Sequence, residues 1–212
     1  MIGESSDEAL LRRYQAKGDV QAFELLVLRH RRALFNFIAR FVGSQDKAED
    51  LLQDVLVKLA TLAADYQGRA SVRTWLFTIA RNLACDEMRK AKHRDAVSLD
   101  AAAAGEGASS PLVERLAGDA PAPDRAAASA MLQPVLAEAI ASLPDDQREV
   151  FLLREYGGVP FKEIAEVTGT GVNTIKSRMR YALEGLRRAL EERGVGRGET
   201  DSGELAGEAT GS

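Results

Sequence analysis

Residues 161 to 182, FKEIAEVTGTGVNTIKSRMRYA, have the spacing of two short helices joined by a tight turn, and no other segment constrains the fold as strongly. Ala165 is small enough for two helices to cross closely, and Gly169, four residues later, can adopt the positive φ of a sharp turn. Ile175 is the apolar residue that would hold the second helix against the first. The segment therefore predicts a helix-turn-helix.

The second helix of this motif carries polar groups that suit nucleic acid. Amides, hydroxyls and basic groups bind base edges and phosphates, and no acid interrupts them before Glu184. The candidate DNA ligands are Asn173, Thr174, Lys176, Ser177, Arg178 and Arg180. The alternative is an unrelated pair of amphipathic helices with a solvated charged face.

Helical periodicity extends over most of the chain, and no alternating strand pattern is evident, so the fold class is predicted to be all-α. The other predicted helices run from about Asp7 to Lys17, from an Asp19 cap to Val42, from about Asp46 to Tyr66, from a Ser71 cap to about Lys92, from about Leu132 to Leu143, and from Asp145 or Asp146 to Gly157 and Gly158.

Composition divides these helices into two small helical domains, at residues 7–95 and 132–193. Residues 96–131, rich in Ala, Gly, Pro, Ser and Asp, are typical of a flexible linker, and the Gly- and acid-rich residues 194–212 are predicted to be disordered. As a coil, the 36-residue linker would span about 30–36 Å, which lets one chain hold two DNA elements a duplex turn apart.

Charge is strongly segregated, although the net charge is only −4. Between residues 68 and 94, seven basic side chains stand against two acids, and between residues 172 and 193, six stand against three. Two basic stretches imply two contacts with a polyanion. Between residues 44 and 54, four acids outnumber the single base Lys47, so that segment must serve another partner.

The acids of that segment form one face of the third helix. The stripe consists of Asp46, Glu49, Asp50, Gln53 and Asp54, and the opposite face carries Leu52, Val55, Leu59 and Leu62. An isolated acidic stripe would more often be a solvated surface. The next helix favours a binding surface over a solvated one. Its core stripe consists of Val72, Trp75, Leu76, Ile79 and Leu83, and its opposite face carries Thr74, Thr78, Arg81, Asn82, Cys85 and Arg89.

The sequence gives little support to catalysis or metal binding. The single cysteine, Cys85, excludes an intrachain disulfide, and His30 and His93 complete no metal-ligand set with it. We therefore expect no enzyme activity, no catalytic residue, no cofactor and no metal. The first residues lack the apolar core of a signal peptide, and no run of eighteen apolar residues follows, so a cytoplasmic protein without membrane insertion is expected.

Three strings resemble a known family. They are AEDLLQDVLVKL at 48–59, SVRTWLFTIARNLACDEMRK at 71–90, and LPDDQREVFLLREYGGVPFKEIAEVTGTGVNTIKSRMRYALEGLRR at 143–188. The first two resemble region 2, and the third region 4, of bacterial RNA polymerase sigma factors of the extracytoplasmic-function group, part of the sigma-70 family. The resemblance covers about residues 10–95 and 132–190. It implies a protein that binds core RNA polymerase, directs it to promoters and helps to open the duplex.

The resemblance also assigns roles in the first domain. The acidic stripe matches the surface that grips the basic coiled coil of the polymerase clamp. The residues that match the capture of the minus-ten element are Tyr66, Arg69, Ser71, Arg81, Asn82, Asp86, Arg89 and Lys90. Tyr66 and Asn82 are candidates for a pocket around a base that has left the stack. Trp75 is either a wedge at the melted junction or, as its apolar stripe favours, a core residue.

In the second domain, the resemblance places Lys176, Ser177, Arg178 and Arg180 in the major groove of the minus-thirty-five element. Tyr181 stands where many members carry a basic residue, and packing on the sugar-phosphate backbone is the alternative contact for this side chain. The aromatic melting cluster of housekeeping sigma factors is absent, which implies a low tolerance of imperfect promoters. The polymerase flap and an anti-sigma factor are further implied partners.

The alternative is an ordinary helix-turn-helix regulator that binds DNA without polymerase. That interpretation explains residues 143–190. It leaves the acidic stripe and the basic segment from Tyr66 to Lys90 without a function.

Overall fold

The computed structural model describes residues 5–99 and 123–195, and within these ranges it has eight α-helices, one short 3-10 turn and no strand. The helices are α1 (Asp7–Lys17), α2 (Val20–Val42), α3 (Gln45–Leu62), α4 (Val72–Leu99), α5 (Pro123–Ala141), α6 (Asp145–Glu155), α7 (Phe161–Thr168) and α8 (Val172–Glu192), and the 3-10 turn is Ala63–Asp65. The all-α prediction is confirmed.

The first two helices begin and end at the predicted residues because local capping chemistry specifies them. Ser6 and Asp19 accept hydrogen bonds from the third backbone amide beyond them, at 3.2 and 3.1 Å, which satisfies amides that have no partner within the helix. Gly18 and Gly43 end α1 and α2 with φ of 61° and 73°, a conformation that costs glycine little. The Asp19 cap was predicted from the sequence, whereas the Ser6 cap was not.

The structure differs from the prediction at the end of α3 and at both ends of the linker. Helix α3 ends at Leu62, and a 3-10 turn replaces the last predicted turn up to Tyr66. The predicted linker, 96–131, is helical at both ends, since α4 continues to Leu99 and α5 begins at Pro123. Alanine favours helix, and proline fits a first helical position, so the composition that suggested a coil also permits these extensions. Residues 100–122 of that linker, and the predicted tail from 196 on, lie outside the described residues.

Helices α1 to α4 form a bundle around α2. Leu10, Leu34 and Ile38 are fully buried, and the buried rings of Phe37 and Phe77 meet edge to face at 5.5 Å, joining α2 to α4. Burying an apolar side chain of this size contributes about 1.5–3 kcal/mol, so such contacts set the positions of α3 and α4. The bundle thereby carries both the acidic stripe and the predicted minus-ten residues.

Helices α5 to α8 form a second helical body that contains the predicted helix-turn-helix. Gly169 adopts φ of 66° between α7 and α8, Ile175 is fully buried, and Ala165 is 7% exposed. The turn therefore forms as its glycine and apolar spacing indicate. None of the helices within the described ranges combines the length and apolar character needed to span a bilayer.

The two bodies pack against each other, with α2 in contact with α5 and α6. Arg40 of α2 is only 7% exposed, because its guanidinium lies over the Tyr156 ring at 4.6 Å and donates to Gln133 at 3.1 Å. A side chain added at Gly157 would approach Phe77 of α4 to 3.2 Å. The apolar cores of the two bodies are therefore continuous.

Candidate nucleic-acid and polymerase interfaces

The start of α8 presents polar side chains to solvent. Asn173, Thr174, Lys176 and Arg180 are exposed, whereas Ile175 and Met179 on the same helix are buried against the domain. A helix whose inner face is held in this way keeps its outer face in a fixed orientation, as insertion into a major groove requires. The structure therefore brings together the predicted minus-thirty-five ligands on one accessible face.

Two members of that set are held by neighbouring side chains. The Arg178 Nε lies 3.0 Å from Asp146 Oδ2 of α6, which directs its guanidinium along the domain surface. The Ser177 hydroxyl donates to the Thr174 carbonyl at 2.9 Å. Both side chains must exchange these partners for DNA if they read bases.

Tyr181 is 48% exposed, and the Arg180 guanidinium lies 4.9 Å from the centre of its ring. An arginine over an aromatic face gains a cation–π interaction of about 0.5–1 kcal/mol at exposed sites. The pair therefore forms a flat, positively charged surface next to the outer face of α8. Tyr181 supplies the aromatic part of this surface.

All five residues of the acidic stripe on α3 are exposed. A shallow cleft of about 450 Å³ borders the stripe, and its walls come from both α2 and α3. The α2 residues in this cleft are Leu28, Arg31, Arg32 and Phe35. Leu28 is 67% exposed, so an apolar strip lies directly beside the acids. These α2 residues were missed in the sequence because their side of the helix alternates apolar and basic residues without a recognised motif.

Tyr66 and Trp75 lie together at the loop between the 3-10 turn and α4. Their ring centres are 5.1 Å apart, and the Tyr66 hydroxyl donates to the Ala70 carbonyl at 2.6 Å. Burial raises the pKa of Tyr66, so the hydroxyl stays a neutral donor. Trp75 is half-buried and packs against the core, as its place on the apolar stripe favours. The two rings give the loop between them a defined shape.

Helix α1 braces both ends of this loop. The Gln15 side-chain amide donates to the Ala63 carbonyl at 2.7 Å and to the Tyr66 carbonyl at 3.1 Å. Glu8 accepts from the first amide of α4, that of Val72, at 3.3 Å, and the Ser71 hydroxyl accepts from Thr74 as the predicted cap at 3.1 Å. No sequence signal could have identified Gln15 and Glu8, because their partners lie 48 to 64 positions away.

The polar face of α4 is not open along its whole length, which corrects the sequence interpretation of that face. Thr74 is 2% exposed, and its hydroxyl accepts from Ser71 at 3.0 Å. The Arg81 side chain is 22% exposed and pairs with Glu149 of α6. Only the more distal members of the minus-ten set, Asn82, Asp86, Arg89 and Lys90, are exposed on this helix, with Arg89 and Asp86 paired at 2.8 Å.

The Arg81–Glu149 pair lies where α4 meets α6. Burial alone would lower the pKa of Arg81, but the hydrogen bond and the charge of Glu149 outweigh it and raise the pKa of the guanidinium. Arg81 also donates to the Asn82 amide oxygen at 3.1 Å. The geometry thus links two predicted minus-ten residues to an acid of the other domain.

Comparison with known proteins places this geometry in a family. The model of Sigma-70 region 2 matches residues 26–94, and that of Sigma-70, region 4, matches residues 135–186. The RNA polymerase sigma-H factor of Pseudomonas aeruginosa is 30% identical over 191 residues, which cover 90% of this chain and 97% of that protein. The chain belongs to the sigma-70 family of RNA polymerase sigma factors. Within that family, 30% identity over 187 residues to the ECF RNA polymerase sigma-E factor of Escherichia coli strain K12 places this sigma factor in the extracytoplasmic-function group.

Further relatives agree with this assignment. The ECF RNA polymerase sigma-E factor of Escherichia coli strain K12 is 30% identical over 187 residues, which cover 88% of this sigma factor and 95% of that one. The sigma factor RpoE from Bartonella quintana, solved in complex with the anti-sigma factor NepR, matches with a TM-score of 0.61 and 28% identity over 80% of this chain and 96% of that chain. The structure of CnrH with the cytosolic domain of CnrY shares the fold, with a TM-score of 0.60, 24% identity and coverage of 89% and 99%.

Proposed function

We propose that this sigma factor binds core RNA polymerase, directs it to promoters that carry minus-ten and minus-thirty-five elements, and helps to open the DNA. The proposal is supported by three separate surfaces on one chain. They are an exposed acidic face on α3, a basic helix α4 beside an aromatic loop, and an exposed polar face on α8. A DNA-binding regulator that acts without polymerase has no use for the acidic face.

The acidic stripe suits a basic partner such as the coiled coil of the polymerase clamp. Single exposed ion pairs contribute about 0.2–1 kcal/mol each, so charge alone gives modest affinity. The apolar strip at Leu28 and Leu56, which borders Glu49, adds area that excludes water around such pairs. We therefore include the apolar residues Leu28 and Leu56 of this cleft in the polymerase-binding surface.

The loop at Tyr66 and the exposed end of α4 suit the minus-ten element. Unstacking a base costs a few kcal/mol, and stacking on an aromatic side chain returns about 1–3 kcal/mol. Tyr66 and Trp75 supply such a ring pair, while Arg69 and Lys90 supply charge for the strand. Gln15 and Glu8 act as positioning residues, because they hold the loop that carries Tyr66.

The outer face of α8 suits duplex DNA. An arginine that binds guanine with two hydrogen bonds discriminates by about 1–3 kcal/mol, whereas a phosphate contact changes mainly affinity and salt dependence. Arg178 and Arg180 have the chemistry for the first role, and Lys176 for the second.

An anti-sigma factor is a further proposed partner. The solved structures of RpoE and CnrH describe those proteins in complex with an anti-sigma factor and with the cytosolic domain of CnrY. The similar fold and coverage support an equivalent partner for this sigma factor. The proposed role of this sigma factor at promoter DNA also supports the expected cytoplasmic location.

Reconstituted transcription tests the proposed function directly. Purified protein is mixed with core RNA polymerase and a library of promoter fragments, and run-off products are mapped to their start sites. We expect co-elution with the core enzyme and transcription from a restricted promoter class. Tight binding to duplex DNA by the isolated protein, without co-elution with core enzyme, would show that the proposal is wrong.

A further inference from the structure

A cleft beside the minus-ten loop is lined by a basic residue of α1 that the proposed function does not use. The cleft has a volume of about 610 Å³ and lies between α1 and the loop at residues 66–71, and both Arg12 and Arg69 line it. We infer that Arg12 and Arg69 together bind a backbone phosphate of the minus-ten strand. This inference rests on the proposed function, and it adds α1 to the surface that contacts DNA.

Arg12 lies on the side of α1 that faces the loop. Glu8, Arg12 and Gln15 are spaced four and three residues apart, which places them on one face of a helix. Glu8 accepts from the Val72 amide at 3.3 Å, and Gln15 donates to the Tyr66 carbonyl at 3.1 Å. The two side chains that flank Arg12 are therefore bound to the two ends of the loop, and Arg12 lies between them.

Among the described residues, the Arg12 guanidinium has no hydrogen-bond or ion-pair partner, unlike that of its neighbour on the same helix. Arg13 pairs with Asp19 at 2.7 Å. Arg69, across the cleft, also has no such partner within residues 5–99 and 123–195, and both Arg12 and Arg69 are exposed. Two arginines in this state can bind an anion without first losing a contact inside the protein.

The loop that carries Arg69 has a defined shape. Gly68 adopts φ of 70°, a conformation that costs glycine little, and the Tyr66 hydroxyl closes the loop by donating to the Ala70 carbonyl at 2.6 Å. Arg69 is thus presented by a braced turn, and Arg12 by a helix that is bound to that turn. A site built on two elements that are fixed to each other loses little entropy when it binds a ligand.

The chemistry of the two side chains suits a phosphate diester. A guanidinium offers parallel N–H donors that match two phosphate oxygens, and it stays charged at any physiological pH. A phosphate between Arg12 and Arg69 would lie beside Tyr66, which lines the same cleft and is proposed to stack on an unpaired base. Sites for single strands combine an aromatic stacking surface with basic groups along the backbone in this way.

Two acids also line the cleft, and they restrict where a phosphate can bind. Glu8 is already bound to the amide of Val72, and Glu163 reaches the cleft from α7. The negative charge of Glu163 repels a phosphate, so the favoured position is on the side of the two arginines. Both arginines belong to the first domain, and the site does not depend on a residue of the second.

A phosphate scan of the minus-ten strand tests the contact. Holoenzyme is formed from core RNA polymerase and the whole chain, and it binds a promoter fragment found by run-off transcription. In this fragment, each minus-ten phosphate in turn is replaced by an uncharged methylphosphonate. One replacement should weaken binding by the unmodified protein about threefold to tenfold and should have little further effect in Arg12→Ala. A purely structural role of Arg12 would not single out one phosphate.

The salt dependence of binding provides a second readout. On a fragment whose minus-ten region is single-stranded, Arg12→Ala should lower the slope of log affinity against log salt by about 0.7, as for one lost phosphate contact. Arg12→Lys should keep the slope but lower the affinity, because an ammonium lacks the paired donors of a guanidinium. Lys17→Ala, at an exposed base on α1 outside the cleft, is the matched control and should change both quantities little.

The inference is wrong if Arg12→Ala and Lys17→Ala have equal affinities and slopes, or if the effect of no single phosphate depends on Arg12. Either result, together with promoter-specific transcription by the unmodified protein, would reject the Arg12 contact alone. Absence of promoter-specific transcription by the unmodified protein would reject the proposed function and the contact with it.

Discussion

Helices α4 and α8 are both basic and are both predicted to contact promoter DNA, but the structure presents them differently. Helix α8 holds its polar face outward with Lys176 and Arg180 exposed, whereas α4 carries Arg81 paired to Glu149 of the other domain. A basic sequence pattern therefore indicates what a helix can bind, whereas the packing around the helix decides which of its charges are accessible.

The strongest loss of stability and DNA binding is expected from a substitution in the core of the helix-turn-helix, which holds α8 in place. Ile175→Ala removes a fully buried side chain between α7 and α8, which should cost about 2–5 kcal/mol. The second domain should melt at a lower temperature by calorimetry and lose duplex binding. Val172→Ala, at a position 36% exposed, is the control and should change the melting temperature little. Duplex binding that survives in Ile175→Ala would contradict the assignment of α8.

Reversing charges in the acidic stripe tests whether polymerase binding is independent of DNA binding by α4 and α8. Asp50→Arg together with Asp54→Arg replaces two exposed negative charges, and core-enzyme affinity should fall about tenfold or more. Duplex DNA binding through α8 should be maintained. Glu24→Arg, at an exposed acid on α2, controls for the reversal of a surface charge outside the stripe. Unchanged core affinity, measured by fluorescence titration, would remove the acidic stripe from the polymerase interface.

The salt dependence of DNA binding compares α8 and α4 directly. Lys176→Ala should reduce the slope of log affinity for minus-thirty-five duplex against log salt by about one, as for one lost phosphate contact. Arg81→Ala should change the slope for a single strand by less in the free protein, since its charge is already paired with Glu149. An equal loss of slope in the two variants would show that Arg81 is as available as Lys176.

The smallest effect is expected at the brace of the minus-ten loop. Gln15→Leu removes two hydrogen bonds to the loop, each contributing about 0.5–1.5 kcal/mol, and should slow promoter opening about threefold to tenfold. Opening is measured by the fluorescence of 2-aminopurine in the minus-ten element. Gln21→Leu, at an exposed position on α2, should open promoters at the normal rate. A parallel loss of duplex binding through α8 would point to a general folding defect instead.

Much of the fold followed from local patterns. The caps at Ser71 and Asp19, the turn at Gly169 and the buried Ile175 all depend on residues within a few positions of one another, so spacing alone predicts them. The exposed acidic stripe followed for the same reason, because helical periodicity separates polar from apolar residues on neighbouring turns.

The parts that could not be predicted depend on contacts between distant residues. Gln15 reaches Tyr66 across 51 positions and Arg81 reaches Glu149 across 68. Periodicity describes the polarity of a helix face but not which residues will pack against it. Helix α4 shows the consequence, since Arg81 on its polar face is paired with Glu149 of the second domain. The helical ends of the predicted linker were missed because alanine-rich composition suits both coil and helix.

The amino-acid order was sufficient for the all-helical class, the helix-turn-helix and the family, since each rests on local spacing and on strings of side chains within single helices. Which residues of the predicted minus-ten surface are accessible was settled only when the two domains came together. Charge pairing between α4 and α6 acts over a few ångströms in space, and no spacing along the chain encodes which basic residue will meet an acid from the other domain.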